Sequence, residues 1–169
     1  SRSSAPVFVI ENNKAMPRYY LVPEARRFAS DADILDAIAL GNADPASAVF
    51  LSQGEIQNGL ARTTDADIAG NSYIQTLSLR NGEVILRVST AFPSYLVTND
   101  TYWPGWKAWV DGRETEILRA NVSGMSIYLE KAGDHVVVFR FEPPGLAVGI
   151  AVSIAFGLLI CGWVAMIVV

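Results

Sequence analysis

The 169-residue sequence predicts a mainly β fold: an antiparallel β-sandwich of jelly-roll or immunoglobulin-like type, with one short helix near the N-terminus and a single C-terminal transmembrane helix. Three observations carry this. After Ser72, short apolar runs recur at the roughly 8–12-residue rhythm of a sandwich. Asn81-Gly82 and Asp111-Gly112 fall between such runs and tolerate the positive φ that two-residue hairpin turns require. Gly145–Val169 is an uncharged apolar run of 25 residues.

The elements follow in order. APVFVIE (Ala5–Glu11) alternates apolar side chains and reads as a strand, and MPRYYLV (Met16–Val22) reads as a second. Ser30 caps a helix whose first turn carries Asp31 and Asp33 at its positive end. Ile34, Leu35 and Ile38 form its apolar face, and Gly41 ends it. Ala48–Ser52 is a short buried strand. Gln53–Asn71 is a polar loop with a short strand at Gly59–Arg62. Seven strands follow: Tyr73–Leu79, Val84–Ser89, Tyr95–Asn99, Trp106–Val110, Glu114–Arg119, Met125–Leu129 and His135–Glu142. Lys131–His135 is a further turn. In the last strand Val137, Phe139 and Phe141 share one face, with Val136, Val138 and Arg140 on the other.

As a helix, Gly145–Val169 reaches roughly 37 Å, enough to cross a hydrocarbon core of about 30 Å with some tilt. Pro143-Pro144 suits the residues just before a helix, where a missing N–H costs nothing. Residues 1–142 and 143–169 therefore form two units, a β domain and a membrane helix. Gly145, Gly149, Ser153, Gly157 and Cys161 recur every fourth residue, with Ala147, Ala151 and Ala155 beside them. Small residues at this spacing let a second helix approach closely, so the expected partners are the bilayer and other helices of the same protein or of an oligomer. The opening SRSSAPVFVIE lacks the n-region and h-region of a signal peptide, and the chain reads as a segment of a longer protein.

Composition excludes several functions. Every charged side chain lies in residues 1–142, and the net charge of −4 argues against nucleic acid. One cysteine (Cys161) and one histidine (His135) exclude an intrachain disulfide, a zinc finger and a Cys–His nucleophile within this chain. His135 stands beside Asp134, but adjacent strand residues point to opposite faces, so it reads as a strand-edge histidine. Asp31, Asp33 and Asp36 fit a helix start; TTDAD, with Asp65 and Asp67, reads as a solvated loop in preference to a cation site. Asn99-Asp100-Thr101 and Asn121-Val122-Ser123 match the glycosylation acceptor pattern, which matters only in a secreted eukaryotic context. No motif for a catalytic nucleophile, a metal or a cofactor is present, and none is expected.

NDTYWPGWKAWVDG, Asn99–Gly112, is the densest chemistry in the chain. Its tryptophans recur every three residues, as on a helix, but Pro104-Gly105 is turn chemistry and makes the stretch strand, turn, strand. Alternation puts Trp106, Ala108 and Val110 on one side, and Lys107, Trp109 and Asp111 on the other. Trp106 is the expected core anchor. Tyr102, Trp103 and Trp109 are candidates for stacking on a sugar, against the alternative that they pack a corner of the fold.

LVTNDTYWPGWKAWVDGRETEILRAN (Leu96–Asn121), followed by GDHVVVFRFEPP (Gly133–Pro144), resembles the end of the YfhO-type bacterial membrane proteins just before their last membrane helix. ENNKAMPRYYLV and NADPASAVFL resemble upstream segments of the same family. The resemblance implies a large polytopic protein similar to GT-C-type glycosyltransferases, sited in the bacterial cytoplasmic membrane with residues 1–142 on the extracytoplasmic side. Such enzymes take sugar from a lipid-phosphate carrier and glycosylate cell-envelope polymers. The acids presumed catalytic lie in an early loop that has no counterpart here, so this part is expected to be non-catalytic and to position an envelope glycan. The alternatives are a membrane-tethered carbohydrate-binding module and a purely structural cap on a helix bundle. Trp103 and Trp109 stand where the family often has tyrosine. Val122-Ser123-Gly124-Met125 replaces a segment that often carries an aromatic and a cation, which bears on any polymer contact at that hairpin.

Overall fold

The computed structural model describes residues 12, 15–52 and 72–168. The strands expected at Ala5–Glu11 and Gly59–Arg62, and the TTDAD run, lie outside the described residues. The elements are β1 (Tyr19–Val22), β2 (Glu24–Phe28), α1 (Asp31–Ala39), β3 (Ala48–Ser52), β4 (Tyr73–Arg80), β5 (Glu83–Thr90) and β6 (Ser94–Thr98). They continue with β7 (Trp106–Val110), β8 (Arg113–Thr115), β9 (Leu118–Ala120), β10 (Gly124–Leu129), β11 (Gly133–Phe141) and α2 (Leu146–Val168).

Two antiparallel sheets, ordered β4-β5-β11-β7-β8 and β1-β6-β10-β9, face each other. Leu86, Val88, Val137 and Phe139 from the first interdigitate with Leu96, Ile127 and Leu129 from the second. The expected mainly β fold is therefore present, and it has a third layer. A parallel pair, β2-β3, covers the outer face of the four-stranded sheet, with Val49 and Leu51 packed on Tyr20, Val22, Tyr95 and Val97. The middle sheet is thus buried on both faces, which is why all five residues of β6 are buried and the run SYLVT shows no alternation. Helix α1 packs on the far side of β3 through Ile34 against Ala48 and Phe50.

Ser30, in extended geometry, accepts from the Asp33 N–H at 3.2 Å and donates to the Asp33 carboxylate at 2.7 Å, which starts α1. Gly41, at φ 73, ends it: its N–H bonds the Ile38 carbonyl, and the Asn42 N–H bonds the Ala37 carbonyl. Leu35, expected on the apolar face, is 55% exposed, and Ala37 takes its place beside Ile34 and Ile38.

Two strands depart from the sequence expectation. The run Met16–Val22 is strand only from Tyr19, and β2 follows Pro23 unforeseen because EARRF has a single buried side chain, Ala25, to alternate. The strand expected at Glu114–Arg119 is two: β8 pairs with β7, β9 pairs with β10, and the chain changes sheets at Glu116-Ile117.

Helix α2 is long and apolar enough to cross a membrane, with mean hydropathy 2.5 over Leu146–Ile167, and none of its apolar window is buried within the chain. Gly145, at φ 78, precedes α2 and accepts from the Gly149 N–H at 2.9 Å. Its glycine is required by that backbone angle, a reason separate from the small-residue stripe. Ser153 donates to the Gly149 carbonyl at 2.8 Å, so its hydroxyl is satisfied by its own helix.

Candidate functional site

The β7 register sorts the aromatic stretch as the alternation requires. Ala108 is fully buried, with Trp106 and Val110 against the inter-sheet core. Trp106 is half-buried, tilted against Phe141 with ring centroids 5.4 Å apart. Trp109 points to the outer face of the five-stranded sheet, opposite Val138 on one side and Glu114 on the other. It is half-buried, and the Arg140 guanidinium lies 5.6 Å from its ring centroid, close enough for a cation–π contact. Arg140 also pairs with Glu83 at 2.7 Å. The same face carries Ile85 and Val138 in one row, with Arg87 and Lys107 nearby.

Tyr102 is half-buried and donates its backbone N–H to the Ser123 carbonyl at 2.7 Å. Trp103 is 63% exposed, in the turn closed by the Trp106 N–H on the Trp103 carbonyl. Among the described residues no ring contact joins Tyr102, Trp103 and Trp109. Trp103 belongs to a turn, whereas Trp109 belongs to a sheet face.

That turn is anchored to the link between β11 and α2. The Glu142 N–H donates to the Gly105 carbonyl at 2.8 Å, and Lys107 pairs with Glu142 at 2.7 Å. The ion pair raises the Lys107 pKa and lowers that of Glu142, first through the hydrogen bond and then through their charges. A Cβ on Gly105, which sits at φ 113, would lie 2.6 Å from the Glu142 carbonyl oxygen and 3.0 Å from Pro144 Cδ.

At the opposite end of the strands, His135 pairs with Asp111. Its Nδ1 lies 2.7 Å from Asp111 Oδ2 and its Nε2 lies 3.0 Å from the Lys131 carbonyl. Asp111 Oδ1 also accepts from the Val136 N–H at 2.8 Å. His135 does not pair with Asp134, as the alternation required, but its partner is 24 residues away and was not foreseen. Both ring nitrogens face acceptors, a setting that only the doubly protonated imidazolium satisfies. Burial depresses the His135 pKa, but the hydrogen bonds to Asp111 and Lys131 and the charges of Asp111 and Asp134 outweigh it, so the net shift is upward from 6.5. The same hydrogen bond from His135, then that from Val136, lowers Asp111. The pair borders an open groove of about 510 Å³ that also carries Arg113, Glu114, Glu130 and Lys131.

The sign of the pH dependence follows. The His135 contribution is complete below 6.5 and is lost as pH rises through the higher folded pKa; the Asp111 contribution is complete above 3.8 and is lost as pH falls through the lower folded one. The pair therefore stabilises most between those values. Chemical denaturation from pH 5 to pH 9 is expected to show a stability decline that His135→Gln and Asp111→Asn each flatten. A decline of unchanged size in both variants would remove this pair as its cause.

Asn121, at φ 51, is the other residue the sequence left without a role. Its Oδ1 accepts from the Phe50 N–H at 2.9 Å, its N–H donates to the Phe50 carbonyl at 2.8 Å, and its Nδ2 donates to the Tyr20 hydroxyl at 2.9 Å. Burial pushes the Tyr20 pKa up to about 12 despite the Asn121 hydrogen bond. The Asn99 amide is likewise engaged, donating to the Pro17 carbonyl at 2.9 Å, so both acceptor-pattern asparagines serve the fold. Of the aspartates grouped near the helix start, Asp31 pairs with Arg119 at 2.9 Å and the Asp33 carboxylate accepts from the hydroxyl of the capping Ser30 at 2.7 Å. Met125 is 1% exposed, and a Cβ on Gly124 would meet the Thr98 carbonyl oxygen at 2.8 Å. Those two positions offer no side chain to a polymer.

Comparison with known proteins gives one family. The model described as "Bacterial membrane protein YfhO" matches residues 63–153, more than half the chain, spanning β4 to the first turns of α2. No curated protein and no solved structure shows significant similarity. With the matched region running from the five-stranded sheet into an apolar helix of membrane-spanning length, the chain belongs to the YfhO family of bacterial membrane proteins.

Proposed function

We propose that this chain is the extracytoplasmic β domain, residues 1–142, and the final membrane helix, residues 143–169, of a glycosyltransferase-like protein that acts on cell-envelope polymers. The domain positions a glycan and performs no chemistry of its own. The proposed site is the bacterial cytoplasmic membrane. The family supports the envelope setting, and the stripe Gly149, Ser153, Gly157 and Cys161 supports packing of α2 on other helices of the parent protein or of a second copy.

The observation that carries the glycan reading is the outer face of the five-stranded sheet. There Trp109 lies in an apolar row with Val138 and Ile85, bordered by Arg140, Glu83, Lys107 and Glu114. An indole stacks on the C–H face of a pyranose while flanking charged groups bond its hydroxyls, and a flat sheet face holds both at fixed spacing. Of the three candidate rings, Trp109 has this setting. The test is binding of the full chain, in lipid nanodiscs, to an array of bacterial envelope glycans. Trp109→Ala should abolish the signal, while Trp109→Phe retains part of it. Binding unchanged in Trp109→Ala would move the glycan elsewhere, and no binding by the parent chain would favour the structural cap.

A further inference from the structure

A different surface gathers where the β sandwich meets α2. Two loops flank the link from β11 to the helix. The Asn81-Gly82 turn bonds β11 through the Phe141 N–H on the Gly82 carbonyl at 2.7 Å, and the Trp103–Gly105 turn bonds the next residue, Glu142, at 2.8 Å. The apolar span begins at Leu146, four residues beyond Glu142 and five beyond Phe141, and Gly105 lies against Pro144, where an added Cβ would stand 3.0 Å from Cδ. The headgroup and interfacial layer is roughly 5–8 Å thick on each side of the hydrocarbon, and two residues span at most about 7 Å, so the turn packed on Pro144 falls at its depth.

The side chains there match that layer. Trp103, at 63% exposure, is the most exposed large aromatic among the described residues of the β sandwich, and Leu79 is 56% exposed. Arg80 is exposed and has neither an ion-pair nor a hydrogen-bond partner among the described residues, unlike Arg18 and Arg140, which are held by Asp100 and Glu83. An indole with an apolar body and one N–H is favoured at headgroup depth, and an exposed guanidinium bonds phosphate. We propose that this end of the β sandwich rests on the bilayer surface, with Trp103 and Leu79 set into the interface and Arg80 against lipid phosphate. The occupant is the membrane that α2 crosses, because the chain itself brings these loops to it. This assignment removes Trp103 from the sugar-contacting set and leaves Trp109 unaffected.

The test is fluorescence of the full chain in vesicles of phosphatidylcholine with phosphatidylglycerol. Trp106, Trp109 and Trp163 are replaced by phenylalanine, and quencher-labelled lipids carry the label near the headgroup or near the chain terminus. The shallow label is expected to quench Trp103 several-fold more than the deep one, and aqueous acrylamide to quench it several-fold less than in the urea-unfolded chain. Because Trp106→Phe alters the core, a second comparison keeps Trp106: Trp163→Phe is set against Trp163→Phe with Trp103→Ala, which should lose most of the shallow component of quenching. Arg80→Glu should weaken that component in vesicles containing phosphatidylglycerol. No lipid quenching with full acrylamide access would overturn the proposal. So would shielding from acrylamide that arises only when an envelope glycan is added.

Discussion

Gly105→Ala is expected to destabilise the fold by on the order of 3 kcal/mol, combining a backbone angle that L residues resist with a side chain that has no room. At φ 113 the added Cβ would stand 2.6 Å from the Glu142 carbonyl oxygen and 3.1 Å from the Phe141 ring, and neither can swing away freely. The oxygen is backbone; the ring is held against Trp106. Gly112→Ala separates the two contributions. Gly112 also has a positive φ, of 80, but nothing lies within 4 Å of its added Cβ. It should lose about 1 kcal/mol, the backbone share alone. Urea denaturation of both variants is the measurement, and equal losses would mean that the contact with Glu142 carries no weight.

The second large effect is expected at Asn121. Its side chain closes the gap between β3 and the β9–β10 turn, satisfying the N–H of the fully buried Phe50 and the Tyr20 hydroxyl. A buried donor left without its acceptor costs about 1–3 kcal/mol, and an alanine in the left-handed region adds about 1. Asn121→Ala should therefore lose roughly 3 kcal/mol, and Asn121→Gly, which adopts φ 51 without strain, somewhat less. A glycine variant as stable as the parent would show that water replaces both hydrogen bonds. Val122, next in the turn at φ 76, is a β-branched residue in the same region, a strain the surrounding structure must hold in place.

The two sites differ in how readable they were. Most strands, the cap of α1 and the apolar span rest on local patterns of period two, capping chemistry and uninterrupted hydropathy, and each is visible within one continuous stretch of sequence. Trp109 facing outward and Ala108 facing inward followed from alternation alone. Asn121 and His135 act on partners 71 and 24 residues away, and no local pattern encodes such a pairing. Both had stood in the segments that carried the family resemblance, Asn121 at the end of RAN and His135 in GDH, without a visible reason. The structure supplies one in each case, and it concerns the fold. The third layer was hidden for a related cause: β2 buries one alanine and pairs in parallel with β3 across the intervening α1, so its sequence carries almost no periodic signal.

These features converge on a joint held by backbone hydrogen bonds and the Lys107–Glu142 ion pair. β11 runs through Glu142-Pro143-Pro144 into α2, and two turns clamp it just before it enters the membrane. The proposed glycan-positioning role would need the height and orientation of the domain held, and a flexible link would forfeit both. Hydrogen exchange at the Phe141 and Glu142 amides, in the full chain reconstituted in lipid, tests this joint most directly. Both amides are expected to exchange as slowly as those in the middle of β11, and Gly105→Ala to release Glu142. Exchange of Glu142 at the rate of an unstructured amide in the parent chain would contradict the account.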